Sequence, residues 1–334
     1  MNERGQITRW HDVVHAREVV PPGQRANVLL AFEDKPLRFD AWDIDIYYQQ
    51  KGREVDHLVE AVVEEAGPER GALRLVWRFE DSTITQRMMV YGRDARVDFV
   101  TYVDWQQSQV LLKVGFPVEI HSTRATYDIQ FGNVERPTHW NTSWDWARFE
   151  TCGHKWADLS EGGYGVSLLN DCKYGYDVKD HVLRLTLIKS AIAPDPRADR
   201  GEHVFTYSLY PHAGDWYEGG TAAQGYRLNN PLIAQREPAH PGTLPGSLSL
   251  VSCAAPHVMV ETVKQAEAGE GLVVRVYEFG NRRGPASLVF GRPIVAAAEV
   301  NLVEEAPHPV AATANQLDFT ILPYEIKTFR IRLE

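Results

Sequence analysis

The sequence is short of cysteine, of basic charge and of long apolar runs. Its three cysteines, Cys152, Cys172 and Cys253, are odd in number and unpatterned. That excludes a disulfide framework and zinc-type cysteine pairs. No window approaches the roughly eighteen apolar residues of a membrane helix. Acidic residues outnumber basic ones, 45 against 35, and the formal net charge is −10. Neither nucleic acid nor an anionic membrane surface is therefore expected as a partner. The first residues are polar and carry no apolar segment of the signal-peptide kind. A Gly-rich phosphate loop, a Gly-x-Ser-x-Gly elbow and a His-Glu-x-x-His helix are all missing. What remains is a soluble, cytoplasmic chain with 44% hydrophobic residues in 334, enough for a large core and more than one domain.

What is present reads as strand. Leu73–Phe79 and Val97–Val103 alternate at period two, Thr83–Tyr91 lies between them, and turn residues at Gly92-Arg93-Asp94 separate the last two. Their closeness predicts an antiparallel meander. Val28–Phe32 ends in a Glu-Asp-Lys-Pro turn, and Val182–Ile188 and His203–Tyr210 are further strands. Residues 56–65 fit either a helix or a strand, and the valines favour a strand. Residues 213–228 are the best helix candidate, weakened by Gly219-Gly220. Pro and Gly recur over 238–246, as in a linker, and place a boundary near residue 240. Beyond it, short runs from Leu248 to Leu333, spaced roughly ten residues apart, predict a small β-sandwich. The expected fold is all-β, with domains at 1–240 and 241–334 and less than about a tenth of the chain in helix.

Chemistry-bearing residues gather at 131–179. Trp140, Trp144, Trp146 and Trp156 are four of the nine tryptophans, interleaved with His139, Asn141, Asp145, Arg148, Glu150, His154 and Lys155. Such a mixture suits a sugar, whose C–H faces take the rings and whose hydroxyls take the polar groups. It equally suits a β-protein core with a solvated rim. Asp43 and Asp45 would share one face of a strand, either as an acid/base or metal pair or as a solvated surface. A retaining glycosidase needs two carboxylates about 5 Å apart across a pocket, and nothing in the sequence places this pair in one. His203 and His212 read as core or loop histidines, and Cys172 as structural. Asn141-Thr142-Ser143 matches a glycosylation sequon and is read as coincidental without a secretory signal.

The stretches Arg136-Pro137-Thr138-His139-Trp140-Asn141-Thr142-Ser143-Trp144-Asp145, His154–Glu161 and Tyr164–Asp177 resemble the C-terminal part of glycoside hydrolase family 38, the α-mannosidases. Phe32–Pro36, Asp40–Asp45 and Phe205–His212 extend the resemblance, which covers most of residues 5–235. It implies a β-supersandwich of the galactose-mutarotase-like kind, followed by a smaller β-sandwich. Family enzymes are retaining hydrolases with an aspartate nucleophile and a divalent metal, usually zinc, held by an N-terminal barrel. That barrel is absent from these 334 residues. The resemblance therefore implies no catalytic residue, cofactor or metal ligand in this chain, which alone would be inactive. Its implied partners are that catalytic barrel and α-mannosides of oligosaccharides. His139, Trp140, Asp145, Asn170, Lys173 and Tyr174 are the candidate substrate-binding residues. An aromatic surface left by a missing partner could also be covered by self-association into a homo-oligomer. A stand-alone carbohydrate-binding protein is the alternative reading.

Overall fold

In the computed structural model, which describes residues 1–267 and 269–334, strand accounts for 49% of the chain and helix for 5%. That settles the class as all-β. Two compact units are formed, one from residues 1–129 and 134–232, the other from 130–133 and 233–334. Every paired strand described is antiparallel.

The first unit is a supersandwich of a nine-stranded and a six-stranded sheet. The nine-stranded sheet runs in the order Gly132–Pro137, Arg124–Ile129, Trp156–Glu161, Tyr164–Asn170, Gly201–Ala213, Val97–Trp105, Ser82–Tyr91, Arg70–Phe79, Leu58–Ala66. The expected meander is formed by Val97–Trp105, Ser82–Tyr91 and Arg70–Phe79, three of its last four strands, and the fourth, residues 58–66, is strand, as its valines favoured. The six-stranded sheet runs Thr151–Cys152, Gly175–Lys179, Val182–Lys189, Val110–Pro117, Val28–Glu33, Gly52–Glu54. Apolar faces of the two sheets build one core, with Phe79 stacked on Trp105 at 5.8 Å and Phe99 on Tyr207 at 5.1 Å. Burial of such rings dominates the driving force. Polar atoms inside it are matched: Gln86 donates to Tyr207 Oη (2.7 Å), Tyr207 to Asn27 Oδ1 (2.8 Å), and Asn27 to Gln86 Oε1 (2.7 Å).

Two sequence expectations are corrected. The helix placed at 213–228 is Thr221–Asn229. The preceding strand runs through Ala213, and Asp215 Oδ1 accepts from the backbone of Tyr217 and Glu218 to form a turn. Gly220, at φ 71°, supplies the left-handed residue that starts the helix. Asp43 and Asp45 do not lie on a strand. They sit in an irregular connection before a short 3₁₀ turn, Ile46–Gln50, where Asp45 Oδ2 accepts from Leu37 N at 2.9 Å.

The second unit packs a three-stranded sheet, Val251–Cys253, Gly284–Phe290 and Gln316–Ile321, and a five-stranded sheet centred on Leu272–Glu278 and Ile326–Leu333. Val274, Val276, Leu288, Phe290, Leu317, Phe329 and Ile331 form its core. Residues 231–250 have no regular structure and are exposed. No helix among the described residues is long and apolar enough to cross a membrane.

Candidate functional site

The tryptophan-bearing connection 138–150 covers the outer face of the six-stranded sheet, together with the connection that carries Ile44 and Tyr48. Phe149 and Tyr48 meet at 6.4 Å between ring centres, above Phe32 and Leu111. Beneath them Lys113, fully buried on the strand Val110–Pro117, is ion-paired to both Glu150 and Asp177. Arg184 Nε donates to Asp177 Oδ1 at 2.7 Å, and Tyr48 Oη to Glu150 Oε1 at 2.5 Å. Two cations thus face two carboxylates. Burial alone would lower the Lys113 pKa, but Asp177 and Glu150 override it and hold the ammonium above its usual range. Burial pushes the Glu150 carboxyl up, against the pull of Lys113. Charges taken out of water are tolerable only when paired in this way. The network fastens the end of the tryptophan connection to the sheet.

Above that anchor the connection makes one helical turn, Ser143–Trp146. Thr142 Oγ1 accepts from Asp145 N, and Asp145 Oδ2 accepts from Thr142 N, a reciprocal cap of the first turn. The turn directs Trp144 (76% exposed) and Trp146 (46%) into solvent. On the neighbouring connection Phe39, Trp42 (71%) and Tyr47 are also exposed. Trp156 is different: it is buried and stacks on Trp216 at 5.1 Å, under the helix Thr221–Asn229.

The six sequence candidates fall into two sets. His139, Trp140 and Asp145 belong to the connection just described. His139 lines an open polar recess of about 690 Å³ with His121, Ser122, Thr138, Glu161 and His181. That volume is within the range of small-ligand sites. The Nδ1 of His139 is buried with no hydrogen-bond partner and lies 3.7 Å from Asp145 Oδ2. Trp140 faces the opposite side, with the Lys179 ammonium 5.3 Å from its ring. Asn170, Lys173 and Tyr174 form the second set. Asn170 is buried and hydrogen-bonds His154 O (2.7 Å), Tyr176 Oη and Lys173 N (2.6 Å), so its amide organises the backbone. Lys173 lies over Phe205 at 4.6 Å, and Tyr174, half exposed, lies 5.0 Å from His154.

Sequence reasoning missed the Lys113 network, because its members are scattered from residue 48 to residue 184. The only signal is a lysine in the otherwise apolar run Val110–Phe116. His212 is a core histidine, with Nε2 2.8 Å from Asp158 Oδ2. Ser167 Oγ shares the same carboxylate oxygen at 2.8 Å. His212 Nε2 also meets Ser167 Oγ at 3.2 Å, so one ring nitrogen faces both groups instead of the two nitrogens bridging them, and the three do not make a nucleophilic triad. Among the described residues no group of three or more His, Cys, Asp or Glu side chains is gathered for a metal ion. The residues present do not fit the divalent metal that the resemblance implies elsewhere, and none is assigned to it.

Residues 1–197 match the glycosyl hydrolases family 38 C-terminal domain, and residues 257–329 the glycosyl hydrolases family 38 C-terminal beta sandwich domain. Alpha-mannosidase 2C1 of Homo sapiens is 38% identical over 345 residues, covering 100% of this chain and 33% of that protein. Alpha-mannosidase G of Dictyostelium discoideum is 39% identical over 340 residues, covering 99% of this chain and 31% of that protein. An alpha-mannosidase structure from Enterococcus faecalis V583 superposes with a TM-score of 0.79 at 18% identity, over 98% of this chain and 40% of that one, and shares the fold. The chain thus spans about a third of the length of the curated relatives it matches. It belongs to the C-terminal domains of glycosyl hydrolase family 38.

Proposed function

We propose that this chain is the C-terminal β portion of a retaining α-mannosidase acting on α-mannosides of oligosaccharides, and that it supports a catalytic region contributed by other sequence. The observation that carries the reading is the pairing of two facts. The matched relatives are about three times as long, and the first unit exposes Trp42, Trp144, Phe39 and Tyr47 on connections held firmly by a buried charge network. Exposed aromatic clusters mark interaction surfaces, and intramolecular domain interfaces bury roughly 600–1,500 Å². The tryptophan connections pack against the catalytic barrel, while His139 and Trp140 help wall its sugar site. Lys173 and Tyr174 belong to the same wall, and Asp145 and Asn170 hold the backbone that presents it. The divalent metal and the aspartate nucleophile belong to the barrel. A reducing cytoplasm suits the three unpaired cysteines.

The test joins this chain to the region that precedes the matching third of Alpha-mannosidase 2C1. Acrylamide quenching should reach Trp42 and Trp144 in the chain alone and fall in the joined protein. Trp140→Ala and Lys173→Ala in the joined protein should lower kcat/KM with little change in melting temperature. Wild-type kcat/KM combined with lost stability would make both residues structural and remove the wall assignment.

A further inference from the structure

On the side of the connection opposite His139, Arg136, Arg148, Lys179 and Trp140 line a small recess floored by Tyr127 and Asp177. The charge in it is not balanced. Lys179 is paired with Asp180 at 2.7 Å. Asp177 is already neutralised by Lys113 and by Arg184. Arg136 and Arg148 have no carboxylate partner among the described residues, and burial, with the nearby Arg148 adding to it, disfavours the charge of Arg136. The Arg136 guanidinium lies 4.5 Å from the Tyr127 ring centre, and its Nη1 is buried with no hydrogen-bond acceptor. A buried guanidinium donor left unmatched is costly, and Arg136 and Arg148 share this recess without an ion pair of their own among the described residues.

The open space in the recess is about 10 Å³, close to the minimum that holds one water-sized group. One oxygen of a tetrahedral or planar oxyanion has that size. Its remaining atoms would stay outside, between the exposed Arg148 side chain and the Trp140 ring. Guanidiniums recognise phosphate and carboxylate oxygens with short, charge-assisted bonds, and an indole beside them covers the apolar face of an attached sugar.

We infer that Arg136 and Arg148, beside Trp140, form a binding site for a small oxyanion of the phosphate class, either free or carried on a sugar. Arg136 Nη1 donates to the oxygen that enters the recess, and Arg148 closes over the anion from the solvent side. The sugar-borne case rests on the α-mannosidase reading; the oxyanion site itself does not.

The experiment is calorimetric titration of the 334-residue chain with inorganic phosphate, mannose 6-phosphate and mannose, at ionic strength matched with chloride. Wild-type chain should bind phosphate saturably, and Arg148→Gln should weaken it at least about tenfold. Arg148 is exposed, so this variant keeps the fold even where Arg136→Gln does not. Tighter binding of mannose 6-phosphate than of phosphate, lost in the same variant, assigns the anion to a sugar. Equal binding of the two assigns it to free phosphate. No saturable phosphate binding beyond chloride, or unchanged affinity in Arg148→Gln, overturns the site and leaves a recess that holds water. Saturable binding of mannose with none of phosphate overturns the oxyanion site and leaves the mannoside reading intact.

Discussion

Replacing Lys113 by methionine removes the ammonium from the centre of the buried network and keeps the volume of the side chain. Asp177 retains Arg184, with its 2.7 Å bond. Glu150 retains only the Tyr48 hydroxyl and becomes a buried carboxylate without a cation. Breaking a buried pair from one side costs about 3–5 kcal/mol, most of it the orphaned charge. For a unit of this size that corresponds to a fall in Tm of about 6–20 °C, at roughly 2–4 °C per kcal/mol. The double variant Lys113→Met/Glu150→Gln removes the orphan and should recover at least about 1 kcal/mol, a coupling usual for residues in contact. The sign of the pH dependence follows from Glu150. Burial raises its folded-state pKa, so the folded protein binds the proton more tightly than the unfolded chain. Its stabilising effect is full below the unfolded pKa and is lost as pH rises through the folded one. Without Lys113 this rise is larger, so the defect should shrink on acidification toward pH 5 and widen at pH 8. Urea unfolding at both pH values measures it. A loss below about 1 kcal/mol at pH 8, or no recovery in the double variant, would refute the view that the network anchors the tryptophan connection.

Other expectations follow from single contacts. Thr142→Ala removes the acceptor for Asp145 N and should cost about 1 kcal/mol, read as faster hydrogen exchange at residues 143–147. Gly165→Ala would bring a methyl to 2.5 Å from the buried His212 ring and 2.3 Å from Ser160 Oγ; overpacking of this kind costs about 1–3 kcal/mol, measurable by urea unfolding. Gln86→Leu opens the closed ring with Asn27 and Tyr207 and should cost about 1–3 kcal/mol for each core polar group left unmatched. Burial raises the Asp128 carboxyl pKa, opposed by Lys155, so its contribution fades as pH rises through the folded value. Asp128→Asn keeps an acceptor for Lys155 N and should therefore gain on wild type between pH 4 and pH 7; a gain that reverses over that range contradicts the assignment.

Strands were legible where one face meets solvent. Leu75–Phe79 alternates between buried and more exposed positions, and the sequence alternates with it. Val110–Pro117 and Tyr164–Asn170 are buried on both faces and carry no alternation to read. The first is covered by the connections bearing Tyr48 and Phe149, the second by the helix Thr221–Asn229, whose Asn229 donates to Asn170 O at 2.9 Å. The same coverings decide the site. Residue type marks Trp144 and Trp156 alike, yet one faces water and the other lies under a helix. Asn170 has the right chemistry for a sugar hydroxyl, but its amide satisfies backbone groups that no local pattern reveals. Lys113 and Asp177 come together only through strand pairing between Val110–Pro117, Val182–Lys189 and Gly175–Lys179, and Glu150 joins them beside Thr151–Cys152, which pairs with Gly175–Lys179.

Hydrolysis of an aryl α-mannoside is the most direct measurement of the central claim. It should be run on the 334-residue chain alone and on the same chain joined to the catalytic region of a family relative, with the divalent metal supplied to both. The account predicts saturable turnover by the joined protein only, with the chain alone at the rate of buffer. Saturable hydrolysis by the chain alone, surviving repurification and abolished by a substitution within residues 1–334, would contradict it.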